Sequence, residues 1–391
     1  MSKVFLLGAG ASRELKFNIS TLDAGYGTRK TDKFLLPGPL SNAYFYDANN
    51  FAQKVKSRLP ISASLDMPSN LSQYICEYYY RKFGQQISKD DILNNETISR
   101  KINIETLYLH IEQEIMKSEK EGNDTLDNKI DPNDPFFKLS FIKDDLLKYI
   151  YRSLSLMCNY SFSIYHAILA SYIINYGGEV ISFNWDILLD EAMEYADKWS
   201  YIDGYGISFK DIIYKNEVKN KELIHNNSRN IILKPHGSIN WYKKINGNDG
   251  LYLVVPIKRN LRGGTLDILK AYEYDKDKNQ YFTSIVPPGM KRKAYPEVWT
   301  KIKEVLENAD EIIAVGFSFN DNDEHVKEEF EEINFRQDLK ISLINPNSSK
   351  VMPAYKEVFK TDNVASICDT LGNYCQWIVE EKMQELSPLL N

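Results

Sequence analysis

The chain has 391 residues, 43% of them hydrophobic, and 48 Lys and Arg against 54 Asp and Glu give a net charge of -6. That length points to one large domain carrying an insertion, or to two domains, and the apolar content excludes general disorder. The mild acidity argues against non-specific nucleic-acid binding as the main task, and the lack of any run of about 18 apolar residues excludes an expected transmembrane helix.

The first element is "KVFLLGAGAS", Lys3 to Ser12. Its apolar run predicts a short buried strand closed by glycines. One lysine before a short apolar run does not make a signal peptide, so none is expected. Thr21 to Pro39 carries Gly25, Gly27, Pro37, Gly38 and Pro39 and reads as loop. From Ser41 to Tyr176 the pattern is mainly helical, with apolar residues three and four apart in Asn103–Glu121 and Asp144–Tyr176. Gly122–Phe136 between them reads as a polar loop. The tyrosine cluster "YICEYYYRKF" (Tyr74–Phe83) reads as helix packing rather than a base-stacking platform, which would need a basic groove beside it.

After Gly178 the pattern changes. Gly178–Asp186, Asn230–Tyr242, Gly250–Ile257, Tyr281–Gly289, Glu311–Phe319 and Leu339–Asn347 read as strands. Glu297–Asp310, Asn322–Ile333 and Tyr374–Leu386 read as helices. Strands alternating with helices predict an α/β fold, a doubly wound, Rossmann-like parallel sheet that includes the first strand. Residues 1–40 and 177–391 form the expected main domain, and 41–176 its mainly helical insertion.

Polar residues collect at the ends of four predicted strands: Gly8-Ala9-Gly10-Ala11-Ser12, Asn184-Trp185-Asp186, His236-Gly237-Ser238 and Gly316-Phe317-Ser318. In doubly wound sheets the ligand crevice lies at that edge. Each segment also has a plainer reading. G-A-G-A-S lacks the third glycine of a dinucleotide fingerprint and reads equally as a tight turn or a phosphate cradle. Asn184 could cap the following helix. His236, between a strand and a glycine, reads as functional rather than structural. His110, His166, His225 and His325 lack such settings and read as surface or packing residues. No G-x-S-x-G or Walker A sequence occurs. Cys76, Cys158, Cys368 and Cys375 form no C-x-x-C pair, so neither a structural zinc nor any other metal is expected, and a reducing cytoplasm is.

Taken in order, the motifs resemble the sirtuin-like NAD-binding fold: G-A-G-A-S at Gly8–Ser12, N-W-D at Asn184–Asp186, His236-Gly237, Gly316-Phe317-Ser318, and Asn345 in "INPN". The four-cysteine zinc ribbon of deacylating sirtuins is missing, and "RELKFNIS" does not match their proline-aspartate-phenylalanine-arginine stretch. The set is more similar to the sirtuin-like NAD hydrolases of prokaryotic antiphage defence, and most similar to subunits that assemble with a HerA-type ATPase. The resemblance implies that NAD is the substrate, with Asn184 and His236 catalytic. It implies NAD contacts at Gly8, Ala9, Gly10, Ser12, Asp186, Gly316, Ser318 and Asn345. A homo-oligomer is also expected, and, from the composition, no membrane and no direct nucleic-acid partner. A non-catalytic NAD or ADP-ribose sensor and an NAD-dependent protein deacylase are the alternative readings.

Overall fold

The computed structural model describes residues 2–12, 16–19, 32–35, 43–57, 65–122, 134–160, 163–196, 198–214, 217–219, 228, 230–244, 250–256, 281–287, 294–319 and 323–381. Lys3–Leu7 (β1) is a strand because four successive apolar side chains, Val4 to Leu7, are buried on both faces of a sheet. Five more strands lie in that sheet: Glu179–Ser182 (β2), Ile232–Leu233 (β3), Glu311–Val315 (β4), Lys340–Ile344 (β5) and Val364–Cys368 (β6). Their order is β6-β5-β4-β1-β2-β3, and every neighbouring pair is parallel. The chain builds outward from β1 through β2 and β3. It then returns to lay β4, β5 and β6 on the other side. The connections leaving β1 and β4 thus diverge and open a crevice at their C-terminal ends. The doubly wound α/β fold expected from the sequence is the fold observed.

Helices join these strands: Ile164–Tyr176 (α1), Leu188–Tyr195 (α2), Pro296–Glu307 (α3), Glu324–Glu331 (α4) and Ser348–Phe359 (α5); Leu371–Glu381 (α6) follows the last strand. In α3, Pro296 begins the helix, where its missing N–H costs nothing, and Val298, Trp299, Ile302 and Leu306 form the buried stripe. Ser163 starts α1 by accepting from the His166 amide at 3.2 Å. The stretch Asp144–Tyr176, read as one helical run, therefore breaks into Pro135–Tyr160 and α1.

Three expectations need correction. Asn230–Tyr242 is not one strand. It ends as β3 at Leu233, turns through Lys234–His236, and restarts as Gly237–Lys244 in a separate five-stranded sheet with Tyr281–Ile285, Tyr252–Val254, Asp211–Tyr214 and Glu217–Lys219. The Lys234 carbonyl closes the turn by accepting from the Gly237 amide at 3.0 Å. Consequently the strands read at Gly250–Ile257 and Tyr281–Gly289 belong to that second, mostly antiparallel sheet rather than the parallel one. Finally, the segment read as loop contains Asp32–Leu35, an antiparallel partner of Lys16–Ile19.

The chain divides into two compact units, Met1–Gly38 with Cys158–Val286 and Lys291–Asn391, and Pro39–Met157 with Pro287–Met290. The second unit is helical, built from Tyr44–Lys56, Ser69–Phe83, Lys89–Asn94, Glu96–Ser99, Ile104–Gly122 and most of Pro135–Tyr160. Tyr74, Tyr78 and Tyr79 are buried there and Tyr80 is exposed, as a packing face requires. Most of the polar loop read between its long helices lies outside the described residues.

Candidate functional site

The glycines at the β1 tip interlock with the β4 tip. The Gly8 amide donates to the Val315 carbonyl at 3.0 Å, and the Gly10 amide to the Gly316 carbonyl at 3.1 Å. A Cβ on Gly8 would sit 2.5 Å from Phe317 Cα, and one on Gly10 2.8 Å from Gly316 Cα. Gly316 itself has φ of +60°, and a Cβ there would sit 2.4 Å from the Ala11 amide nitrogen. These contacts tolerate no side chain. With the Ala11 amide donating to the Gly8 carbonyl at 2.8 Å, three of the loop's amides are thus committed to the fold, and the 3-10 turn Ala9–Ser12 delivers Ser12 to the crevice edge.

Ser12 meets the β2 tip. Its hydroxyl donates to Asp186 Oδ2 at 3.0 Å and accepts from Asn184 Nδ2 at 3.3 Å. Asp186 Oδ1 accepts from the Leu188 amide at 3.1 Å, so Asp186, not Asn184, satisfies the first turn of α2. Behind this group lies a fully buried polar network. Lys234 Nζ donates to the Asp186 carbonyl and lies 3.4 Å from the Asp190 carboxylate. Tyr205 donates to Asp190 Oδ1 at 2.6 Å, and Asn240 Nδ2 donates to Tyr205 at 3.1 Å. Burial raises the Asp190 carboxyl pKa, opposed by the Lys234 ammonium and the Tyr205 hydroxyl.

His236 ends the turn after β3 and is only 3% exposed. Gly237, at φ of +76°, makes the turn possible; a Cβ there would lie 2.1 Å from the Ser284 carbonyl oxygen. The Val286 amide donates to the His236 carbonyl at 2.9 Å, so the second sheet pins the histidine from behind. Its ring packs edge-on against Phe183, centroids 5.1 Å apart, and Phe183 stacks on Phe317 across the crevice at 4.4 Å. His236 Nε2 lies 3.3 Å from His325 Nε2. Burial first, then the second imidazole, push the His236 pKa down to about 3, while a hydrogen bond to the Phe183 backbone carbonyl opposes them. His236 is therefore neutral at neutral pH.

Of the histidines read as surface or packing residues, His325 meets a candidate site residue, whereas His166 is a buried packing residue. His325, on α4, faces His236. His166, on α1, is buried with Nδ1 2.8 Å from Ser163 Oγ. Burial lowers its pKa to about 4, with Asp186 raising and Lys234 lowering it. His110 is a half-buried residue of the helical unit, ringed against Tyr78, and His225 lies outside the described residues. Lys234 was missed altogether. Its only sequence signal is a cation inside the apolar approach to His236. Asn345 and Ser318 lie on the same strand-tip edge, at the ends of β5 and β4. Asn345 Oδ1 accepts from the Asn347 amide at 2.8 Å and closes its own turn.

Among the described residues, no group of three or more His, Cys, Asp or Glu side chains could hold a metal ion, and no helix is long and apolar enough to cross a membrane.

Residues 178–361 match the model of the SIR2-like domain. No curated protein matches. Among solved structures, a SIR2 homologue–NAD complex is 15% identical, covering 64% of this chain and 75% of that chain with a TM-score of 0.37. An ADP-ribose complex of a Sir2 homologue variant is 17% identical, covering 68% and 85%, with a TM-score of 0.37. A Sir2 protein bound to a propionylated peptide is 12% identical, covering 61% and 78%, with a TM-score of 0.36.

Proposed function

We propose that the crevice binds NAD and cleaves it to nicotinamide and ADP-ribose. The observation that carries this reading is the union of Ser12, Asn184 and Asp186 in one hydrogen-bonded group, on the strand-tip edge that also bears buried, neutral His236. The SIR2-like match supports it, because that family consists of NAD-dependent enzymes.

Cleavage of the nicotinamide–ribose bond builds positive charge on the sugar and releases a neutral leaving group. The site must therefore position groups and accept a hydrogen bond rather than supply a strong acid. Neutral His236 offers a lone pair to a ribose hydroxyl or to water. A pKa near 3 makes it a poor proton store, so its contribution is to accept and orient. Asn184, its amide held by Ser12, orients water or a ribose hydroxyl near the reacting carbon. Asp186, braced by Ser12 and Leu188, takes the nicotinamide carboxamide. The Gly8-Ala9-Gly10-Ser12 turn approaches the pyrophosphate, Gly316 and Ser318 flank it, and Asn345 takes the adenosine ribose.

Chromatography of NAD incubated with the purified protein, with and without a HerA-type ATPase, should show nicotinamide and ADP-ribose. Asn184→Ala and His236→Ala should each slow release by roughly a hundredfold. Normal turnover in both variants would sink the assignment. In this reading the protein is a cytoplasmic, homo-oligomeric effector that depletes NAD in antiphage defence. A second reading, a nucleotide sensor without chemistry, is favoured by the depressed pKa of His236. It predicts that His236→Ala binds NAD as wild type does in calorimetry.

A further inference from the structure

We propose that His325 is a third working residue of the crevice: its imidazole occupies the Nε2 lone pair of His236, so the site rests capped and opens when His325 turns away. This inference rests on the reading of His236 as the acceptor for a substrate hydroxyl or water.

A neutral imidazole carries one N–H. The Nε2 atoms of His236 and His325 face each other at 3.3 Å, so one ring donates there and the other accepts. In the capped arrangement His325 Nε2–H is the donor across that contact, which leaves the His236 proton on Nδ1 and its Nε2 lone pair occupied. An N–H aimed at that lone pair does what a ribose hydroxyl or water would do, and both cannot be accommodated there together. The ring centroids lie 5.4 Å apart at 30°, so the two imidazoles meet nitrogen to nitrogen, close to coplanar, as an N–H···N contact requires.

The cap can move without its helix. Val326 and Phe330 anchor α4 in the core, where Phe330 meets Phe319 and Phe359. His325 is only half-buried on the flank of the same helix, its ring edge-on to Trp299 at 6.2 Å. A side-chain rotation exposes His236 Nε2 while the buried anchors stay in place. A substrate hydroxyl that out-competes His325 for Nε2 drives that rotation, because it binds the uncapped arrangement alone.

The test uses full-length protein as wild type, His325→Ala and His325→Gln, treated with diethyl pyrocarbonate, which acylates neutral imidazole nitrogen. Peptide mass spectrometry follows modification at His236. Capping predicts modification at least tenfold faster in His325→Ala. His325→Gln should stay near wild type, because its amide keeps an N–H donor at similar reach. Equal His236 rates in wild type and His325→Ala overturn the proposal. Nicotinamide release from NAD reads the same variants. His325→Ala should turn over faster than wild type, and slower turnover by the folded variant also overturns capping, because His325 would then be aiding the reaction. If no variant cleaves NAD with or without the HerA-type ATPase, the NAD reading falls while the modification rates still decide the cap.

Discussion

Two buried neutral histidines should make the fold acid-labile well above the carboxylate range. In the unfolded chain a histidine titrates near 6.5, whereas burial lowers His236 to about 3 and His166 to about 4. Between those values the unfolded chain binds protons that the folded chain refuses. Stability from each histidine is therefore full above about 6.5 and drains as pH falls toward the folded value. From pH 7 to pH 5, linkage gives a loss of about 2 kcal/mol per histidine, or about 4 kcal/mol for both. That figure barely depends on the folded pKa, provided it lies below about 4.5. Urea denaturation at pH 7 and pH 5 measures the drop in wild type, and His236→Gln and His166→Gln should each shrink it by about 2 kcal/mol. Comparing variants with wild type cancels the carboxylates, which titrate in both. If either variant loses as much stability on acidification as wild type does, that histidine is not buried neutral, and the account of the site fails with it.

Other consequences are as direct. Lys234→Met should cost about 3–5 kcal/mol in urea denaturation, because it strands the buried Asp190 carboxylate, and Lys234→Met with Asp190→Leu should recover most of that loss. Gly316→Ala should cost about 2–4 kcal/mol, combining a positive φ with the Cβ clash at Ala11, and an effect below about 1 kcal/mol would disprove the interlocked tips. Ser12→Ala should leave the fold near wild-type stability but weaken NAD binding by about tenfold in calorimetry, since it unties Asn184 from Asp186. Unchanged NAD affinity would remove Ser12 from the site.

Local chemistry explains what could be read ahead of the structure. β1 and its glycine turn were visible because four apolar residues and a glycine stop lie side by side. β5 and α3 were visible for similar reasons. α5 was missed because Pro353 sits inside it and reads as a breaker. β6 was missed because Val364–Cys368 lies at the sheet edge, half exposed, without a buried run. The break at Lys234–His236 was hidden because apolar strand residues flank it on both sides; only the opposing Ser284 carbonyl shows why Gly237 must turn there. Asn184, Asp186 and Ser12 were legible as strand-tip polar residues, yet the hydrogen bonds joining them span more than 170 positions. The His236–His325 contact joins residues 89 positions apart, one on a helix whose pattern speaks only of its buried stripe. No local signal announces such a pairing.

The interlocked glycines divide the crevice into a frozen wall and an adjustable one. Gly8, Gly10 and Gly316 fill each other's missing side-chain volume, so a larger residue at any of them forces the other tip to retreat. Substitution there cannot fine-tune what the crevice accepts; it can only pry the sheet apart. Selectivity has to be written on the opposite bank, in the residues around Asn184, His236 and His325, where side chains meet side chains and can be exchanged one at a time.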